Sequence, residues 1–277
     1  MSTSSPGPLE PVFDWYQGSV STGVRDVFGV LEPMTAEEPF HEEKPKLKGY
    51  AFASKLGGPG GSVLIHYGGR NGDEHGPNVC ATGPLSPKVA DLLRGAQVPH
   101  GLGRVDVRVD FLGDYAACRL ALIERCNQAG MAPLDAGSCP EALKQCGRSV
   151  YTGKRGSFLL STLYQKGIQL GDGHPTDYLR LEHRFVPQKA HEKLEVACLT
   201  PAQMIGLRPL SRDLTVTITK MAVRPYKLDR FPKERNAKFW MLTQYRSLLQ
   251  ELLNDHGSPA AVGQQLYEDL KELDNAY

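Results

Sequence analysis

GRVDVRVDFLGDYAACRLALIERCNQAG, residues 103–130, changes period part-way along. In its first half Val105, Val107 and Val109 alternate with Asp106, Arg108 and Asp110, the two-residue repeat of a strand with one face buried and one wet. From Tyr115 the apolar residues recur at helical spacing, and Gly130 stands where a helix-terminating glycine belongs. A half-buried strand feeding directly into a helix argues for a mixed fold in which helices pack on one side of a sheet.

The flanking sequence repeats these signals. Residues 1–11 are rich in Ser, Pro and Gly and read as a disordered N-terminus, whereas VFDWYQGSV (12–20) alternates as an opening strand would. GYAFAS, GSVLIHYGG and GPNVCATG are short strands separated by Gly-rich turns, the pattern of an antiparallel meander. Ser86-Pro87 then opens a short helix through Leu92 and Leu93. Downstream, SVYTGKRGSFLLSTLYQKG (149–167) and DYLRLEHRFVP (177–187) supply three more strands, and helices are expected from Pro187 to Cys198 and from Thr200 onward. LTVTITKMAV (214–223), with its run of β-branched residues, reads as a strand. Residues 237–257 and 262–277 form a helical hairpin. The fold class expected is therefore α+β: a mainly antiparallel sheet with flanking helices and a C-terminal helical hairpin, divided as 1–11, 12–233 and 234–277.

A formal net charge of +1 excludes a uniformly basic coat, yet the charge is unevenly spread. From Lys220 to Trp240 seven Lys/Arg, among them Lys227, Arg230 and Lys233, face two acids, interleaved with Tyr226, Phe231, Phe239 and Trp240. Such a stretch suits a sugar-phosphate backbone and stacked bases, or equally a solvated connection anchored by its aromatics. From Met241 the balance reverses to six acids against two basic residues. Six cysteines without a CxxC pair, and a first segment lacking both a charged start and an apolar run, fit a reduced, cytoplasmic protein. No segment approaches the roughly 18 apolar residues of a membrane span, so no membrane association is expected.

Two acids stand inside predicted strands, where unpaired charge is costly: Asp110 and Glu182. Each follows an arginine by two positions, Arg108 and Arg180, so acid and arginine share a strand face. Such a face could hold a hard divalent cation through oxygen ligands and set it beside a phosphate; it could also be a solvated face of ion pairs. Tyr164 precedes Lys166 by two, and an ammonium on the same face would favour the phenolate. Tyr151 precedes a turn whose Lys154 and Arg155 suit a phosphate backbone. Either tyrosine also fits as an ordinary residue packed on a sheet. Ser157 could bond a phosphate or its own turn. The eight histidines include no His-hydrophobe-His pair, so any metal site must be led by carboxylates; His183 falls on the opposite strand face from Glu182, and His66 and His75 are ambiguous.

Taken in order, FDWYQ, HGPNVCATG, VRVDFLGD, SVYTGKRGS, TLYQKGIQLGD, YLRLEHRFVP and FWMLTQYRSLL resemble the phage-type replication initiation factors, related to initiators of rolling-circle plasmids and to some conjugative relaxases. The resemblance covers most of the chain. It implies a phage- or mobile-element-encoded enzyme that nicks one strand of origin DNA, presented as a single strand or hairpin, and stays joined to the 5′ phosphate through tyrosine. By position, Asp110 and Glu182 become the implied ligands of Mg²⁺ or Mn²⁺, Tyr164 the nucleophile, Lys166 its electrostatic aid and Tyr151 the rival nucleophile. Lys154, Arg155, Arg108, Arg180, Lys227, Arg230 and Lys233 become implied DNA contacts. The chain has no room for a helicase domain, so host helicase and polymerase are implied partners, and a homodimer is one arrangement to expect. The different-class alternative is a non-catalytic origin-binding or regulatory protein of the same fold.

Overall fold

Thirteen residues, His100–Leu112, form the longest strand, β6, in a computed structural model that describes residues 9–36, 38–69, 76–136, 147–154, 156–228 and 246–276. Val105, Val107 and Val109 are fully buried while Arg104, Arg108 and Asp110 keep part of their surface, as the alternation requires. The Asp114 side chain accepts a hydrogen bond from the Ala116 amide and so caps α3 (Tyr115–Gln128), and Gly130 closes its C-terminal end with φ of +67°.

Around β6 the chain runs the same course twice. β1 (Val12–Val20) leads through α1 (Val24–Leu31) to the far edge strand β2 (His41–Glu43), from which β3 (Tyr50–Gly58), β4 (Gly61–Gly69) and β5 (Asn78–Thr82) step back to β1. After α2 (Leu85–Gly95), β6 leads through α3 to the opposite edge strand β7 (Leu134–Ala136), and β8 (Ser149–Thr152), β9 (Leu159–Tyr164) and β10 (Tyr178–Phe185) step back to β6. The result is a ten-stranded sheet in the order 2-3-4-5-1-6-10-9-8-7, with every pairing antiparallel among the described residues. A bulge at Asp14 interrupts the β1–β6 register between Phe13 and Trp15.

One face of the sheet supplies the core. Phe13, Tyr16, Val63, Ile65, Val79 and the β6 valines form one cluster with α1, α2, α5 (Ala190–Ala197) and α6 (Pro201–Gly206); Val150, Leu163, Leu179 and Leu181 form a second with α3 and α7 (Pro209–Thr219). The reading of 214–223 as a strand is corrected here, because most of that stretch lies in α7. Its buried positions Ser211, Leu214, Thr215 and Ile218 recur at helical spacing, and the Thr215 and Thr219 hydroxyls donate to the carbonyls four residues back. Packing of that stripe overrides β-propensity. His183 belongs to the core face, as its position in β10 implies: Nδ1 lies 2.7 Å from Ser161 Oγ and Nε2 lies 2.8 Å from Thr215 Oγ1, which fastens α7 to the sheet.

The chain divides into two compact units, Met1–Leu228 and Asp229–Tyr277. In the second, α8 (Arg246–His256) and α9 (Pro259–Ala276) pack on each other across Gly257, the C-terminal hairpin read from the sequence. No helix among the described residues is long and apolar enough to cross a membrane.

Candidate active site on the polar face of the sheet

The central strands turn charged residues to the other face. The β6–β10 register sets Arg180 opposite Asp110 and Glu182 opposite Arg108, which makes Asp110 and Glu182 diagonal neighbours. Arg180 is almost fully buried and grips Asp110 with two bonds, Nε to Oδ1 at 2.6 Å and Nη2 to Oδ2 at 3.0 Å. Its Nη1 also donates to Asp14 Oδ2 at 3.2 Å. Arg108 donates to the other Asp14 oxygen at 2.9 Å, while its Nε lies 3.5 Å from Asp110 Oδ2 and, though buried, makes no hydrogen bond. Further along, Asp106 is shared between Arg104 and Arg184, and Glu182 Oε1 lies 3.8 Å from Arg184. Arg104, Arg108, Arg180 and Arg184 thus balance Asp14, Asp106, Asp110 and Glu182. Arg108 and Arg180 find closer carboxylates across strands than two residues along their own, whereas Arg104 does pair with Asp106 two residues along.

Sequence reasoning missed Asp14. Strict alternation would send Asp14 and Trp15 to opposite faces, yet the bulge turns Asp14 toward the arginines while Trp15 lies under Arg104, whose guanidinium carbon is 4.0 Å from the ring centroid. The signal was in FDWYQ: Phe13 and Tyr16, both core residues, stand three apart, a spacing that a strand tolerates only with an extra residue between them.

Tyr164 ends β9 opposite Arg180, and its hydroxyl donates to Glu182 Oε2 at 3.4 Å. Burial raises the Glu182 carboxyl to about 7, assisted by the negative charge of Asp106 and Asp14. The Tyr164 hydroxyl is likewise held above its usual range, first by burial and then by Glu182. This reverses the expectation that Lys166 would promote the phenolate. The strand stops at Tyr164, and Lys166 instead opens the short helix α4 (Lys166–Leu170). Its Nζ donates to Gln169 at 2.9 Å and lies over the tyrosine ring, 5.9 Å from the centroid. Burial, with Arg180 adding to it, lowers the lysine's own pKa. Tyr151 shares the polar face one strand further out, opposite Thr162, and is exposed at 36%.

Other expected residues lie elsewhere. Lys154 is exposed in the β8–β9 turn, where the Ser157 hydroxyl lies 2.7 Å from the carbonyl oxygens of Lys154 and Leu159 and so serves the turn itself. Lys227 is exposed near the end of the first unit; Arg155, His75, Arg230 and Lys233 lie outside the described residues. His66 is buried on β4, with its pKa lowered mainly by burial.

The carboxylates offer hard oxygen donors of the kind Mg²⁺ takes. Among the described residues no three of His, Cys, Asp and Glu gather into a metal cage. Mg²⁺, however, commonly uses one or two carboxylates and completes its shell with water and substrate phosphate. Glu182, raised by burial and by neighbouring negative charge that a cation would offset, fits that role; Asp110 fits it by releasing one of its two bonds to Arg180.

A solved structure entitled "Structure of Rolling Circle Replication Initiator Protein from Geobacillus stearothermophilus" matches with a TM-score of 0.56 over 86% of this chain and 97% of that one, at 19% sequence identity. The fold is that of a rolling-circle replication initiator. The resemblance read from the sequence motifs agrees with this likeness of fold. No family model matches the chain, and no curated protein matches it in sequence.

Proposed function

We propose that this protein initiates rolling-circle replication by nicking one strand of origin DNA, with Tyr164 as nucleophile. The observation that carries the reading is the Tyr164–Glu182 contact at 3.4 Å beside the guanidinium of Arg180, on a sheet with an initiator's fold. Arg108 and Arg180 would seat the scissile phosphate, Arg108 through the Nε that now makes no hydrogen bond. Tyr164 Oη attacks phosphorus in line as its proton passes to Glu182 Oε2, the atom it already faces. The P–O3′ bond breaks, and the 3′ oxygen leaves with a proton taken from water. The phosphotyrosine ester conserves the energy of the broken bond, so the reverse attack by a 3′ hydroxyl can reseal the strand. Mg²⁺ or Mn²⁺ held by Asp110 and Glu182 would supply charge neutralisation at the phosphate when bound. Strand separation and synthesis would fall to a host helicase and polymerase in the bacterial cytoplasm.

Incubation with a supercoiled plasmid carrying the DNA that flanks the coding sequence, plus Mg²⁺, tests the proposal. Relaxed plasmid with covalently attached protein is expected; binding without nicking would favour the non-catalytic origin-binding alternative. Asp110→Ala and Glu182→Ala should each abolish nicking, retain duplex binding and weaken Mn²⁺ binding followed by electron paramagnetic resonance. Full nicking and unchanged Mn²⁺ binding by both variants would remove the cation site.

A further inference from the structure

A cavity of about 850 Å³ opens away from the charged row, where the β8–β9 turn meets the end of α3 and the start of α7. Its floor is apolar, with Met131, Leu159 and Leu210, and among the described residues three cations stand at it: Arg125, Lys154 and Arg208. Their electrostatic situation is the reverse of that around Tyr164. On the polar face every arginine is matched to a carboxylate, whereas among the described residues these three cations make no ion pair. Among the described residues the cavity's one carboxylate is Asp213, engaged by Arg212 at 3.3 Å. Arg125 is held in place by neutral groups, Nε to Thr217 at 3.2 Å and Nη1 to Gln128 at 3.0 Å. Arg208 lies over the ring of Phe158, 4.1 Å from its centroid, and remains exposed, so the outer side of the stack faces solvent.

From this arrangement we infer that the cavity binds one unpaired nucleotide of the DNA strand, its base stacked on the Arg208–Phe158 pair and its phosphate between Lys154 and Arg125. The inference rests on the DNA-processing role proposed above and adds a second point of attachment to it. An apolar floor with a cationic stacking plane accepts any base through its π-face, and surplus cations at the rim favour a phosphate-bearing ligand over an uncharged apolar one. The volume lies within the range of ordinary small-ligand sites, which is ample for a single nucleotide. Leu159 to Tyr164 is one strand of six residues, so the cavity lies about 17 Å along β9 from the nucleophile at roughly 3.3 Å per residue. Leu159 faces the helix side of the sheet and Tyr164 the polar side, so a strand reaching both must pass round the end of the sheet at the β8–β9 turn. Gly153 shapes the mouth: its φ is +102°, and a side chain there would meet the Leu159 carbonyl at 2.6 Å.

The test uses the full chain carrying Tyr164→Phe, so that no strand is cut, and measures fluorescence anisotropy with a labelled oligothymidylate and an abasic strand of equal length. Arg208→Ala should weaken oligothymidylate binding about tenfold and abasic binding far less, since stacking is removed. The Arg125→Ala/Lys154→Ala pair should weaken both strands alike and flatten the salt dependence. Photocrosslinking of a 5-iododeoxyuridine strand should mark the peptide that contains Phe158. Equal affinity for the two strands in every folded variant, displacement of the strand by polyglutamate with crosslinks absent from Phe158, or crosslinks confined to β6 and β10 would each overturn the site. Nicking by the Tyr164-containing protein is scored separately, so an enzyme that cuts normally with its cavity cations removed would discard the cavity alone.

Discussion

Arg180 opposes Asp110 in register and reaches Asp14 on a third strand, so one buried guanidinium ties β1, β6 and β10 together at the proposed reaction centre. Removing a partner from such a network leaves buried charge short of a counter-charge. We therefore expect Asp14→Asn to lower stability by about 1–2 kcal/mol and nicking by about tenfold or more, because the arginines proposed to seat the phosphate lose a fixed partner. Urea unfolding and nicking rates check this, and wild-type rates would show that Asp14 only packs. That Asp110 and Glu182 share one charged face with arginines was legible because a strand rarely carries an acid at its centre. Asp14 was not, because a bulge breaks the alternation from which faces are read. Lys166 misled for a similar reason: it shares a face with Tyr164 only while the strand continues, and the chain turns into a helix after Tyr164.

The contact between α7 and the sheet depends on a histidine that must stay neutral. Burial lowers the His183 pKa to about 3, and both ring nitrogens are engaged by Ser161 and Thr215. A folded-state pKa below the ordinary 6.5 means that the unfolded chain binds the extra proton first, so stability falls as pH drops through 6.5 toward about 3. His183→Gln should cost about 1–3 kcal/mol at pH 7 by leaving hydroxyls unpaired. It should also flatten the decline between pH 6.5 and about 4 relative to wild type, and parallel curves in urea titrations across that range would contradict this. Most elements could be read from period and punctuation alone, notably β1, β6, β10 and α3. α7 could not, since Thr215–Thr219 is β-branched at every position, and only the partners available on the sheet decide between a strand and a helix there.

Strands β1 to β10 repeat one course, a long strand, a helix, then a return from the edge. β1 and β6 therefore lie side by side at the centre, with the charged row between them and β10. That topology was only half legible: the meander of β3 to β5 shows in the sequence, but the pairing of β1 with β6 joins residues about ninety positions apart, and no local pattern specifies it. Binding beyond the sheet should involve the basic stretch after Lys220. Replacing Lys227, Arg230 and Lys233 with alanine should weaken DNA binding and reduce the dependence of log K on log salt by up to about three, one for each phosphate no longer neutralised. An unchanged slope would show that the stretch faces solvent.

The most direct measurement is the identity of the residue that carries the DNA. Wild-type protein is incubated with supercoiled origin DNA and Mg²⁺, the adduct is digested with nuclease and protease, and the nucleotide-bearing peptide is sequenced by mass spectrometry. The nucleotide should be found on Tyr164, absent in Tyr164→Phe and retained in Tyr151→Phe, because Tyr164 alone of the two is hydrogen-bonded to Glu182 and faces Arg180 across the strands. A nucleotide on Tyr151, or an adduct that survives Tyr164→Phe, would contradict the assignment of the reaction centre.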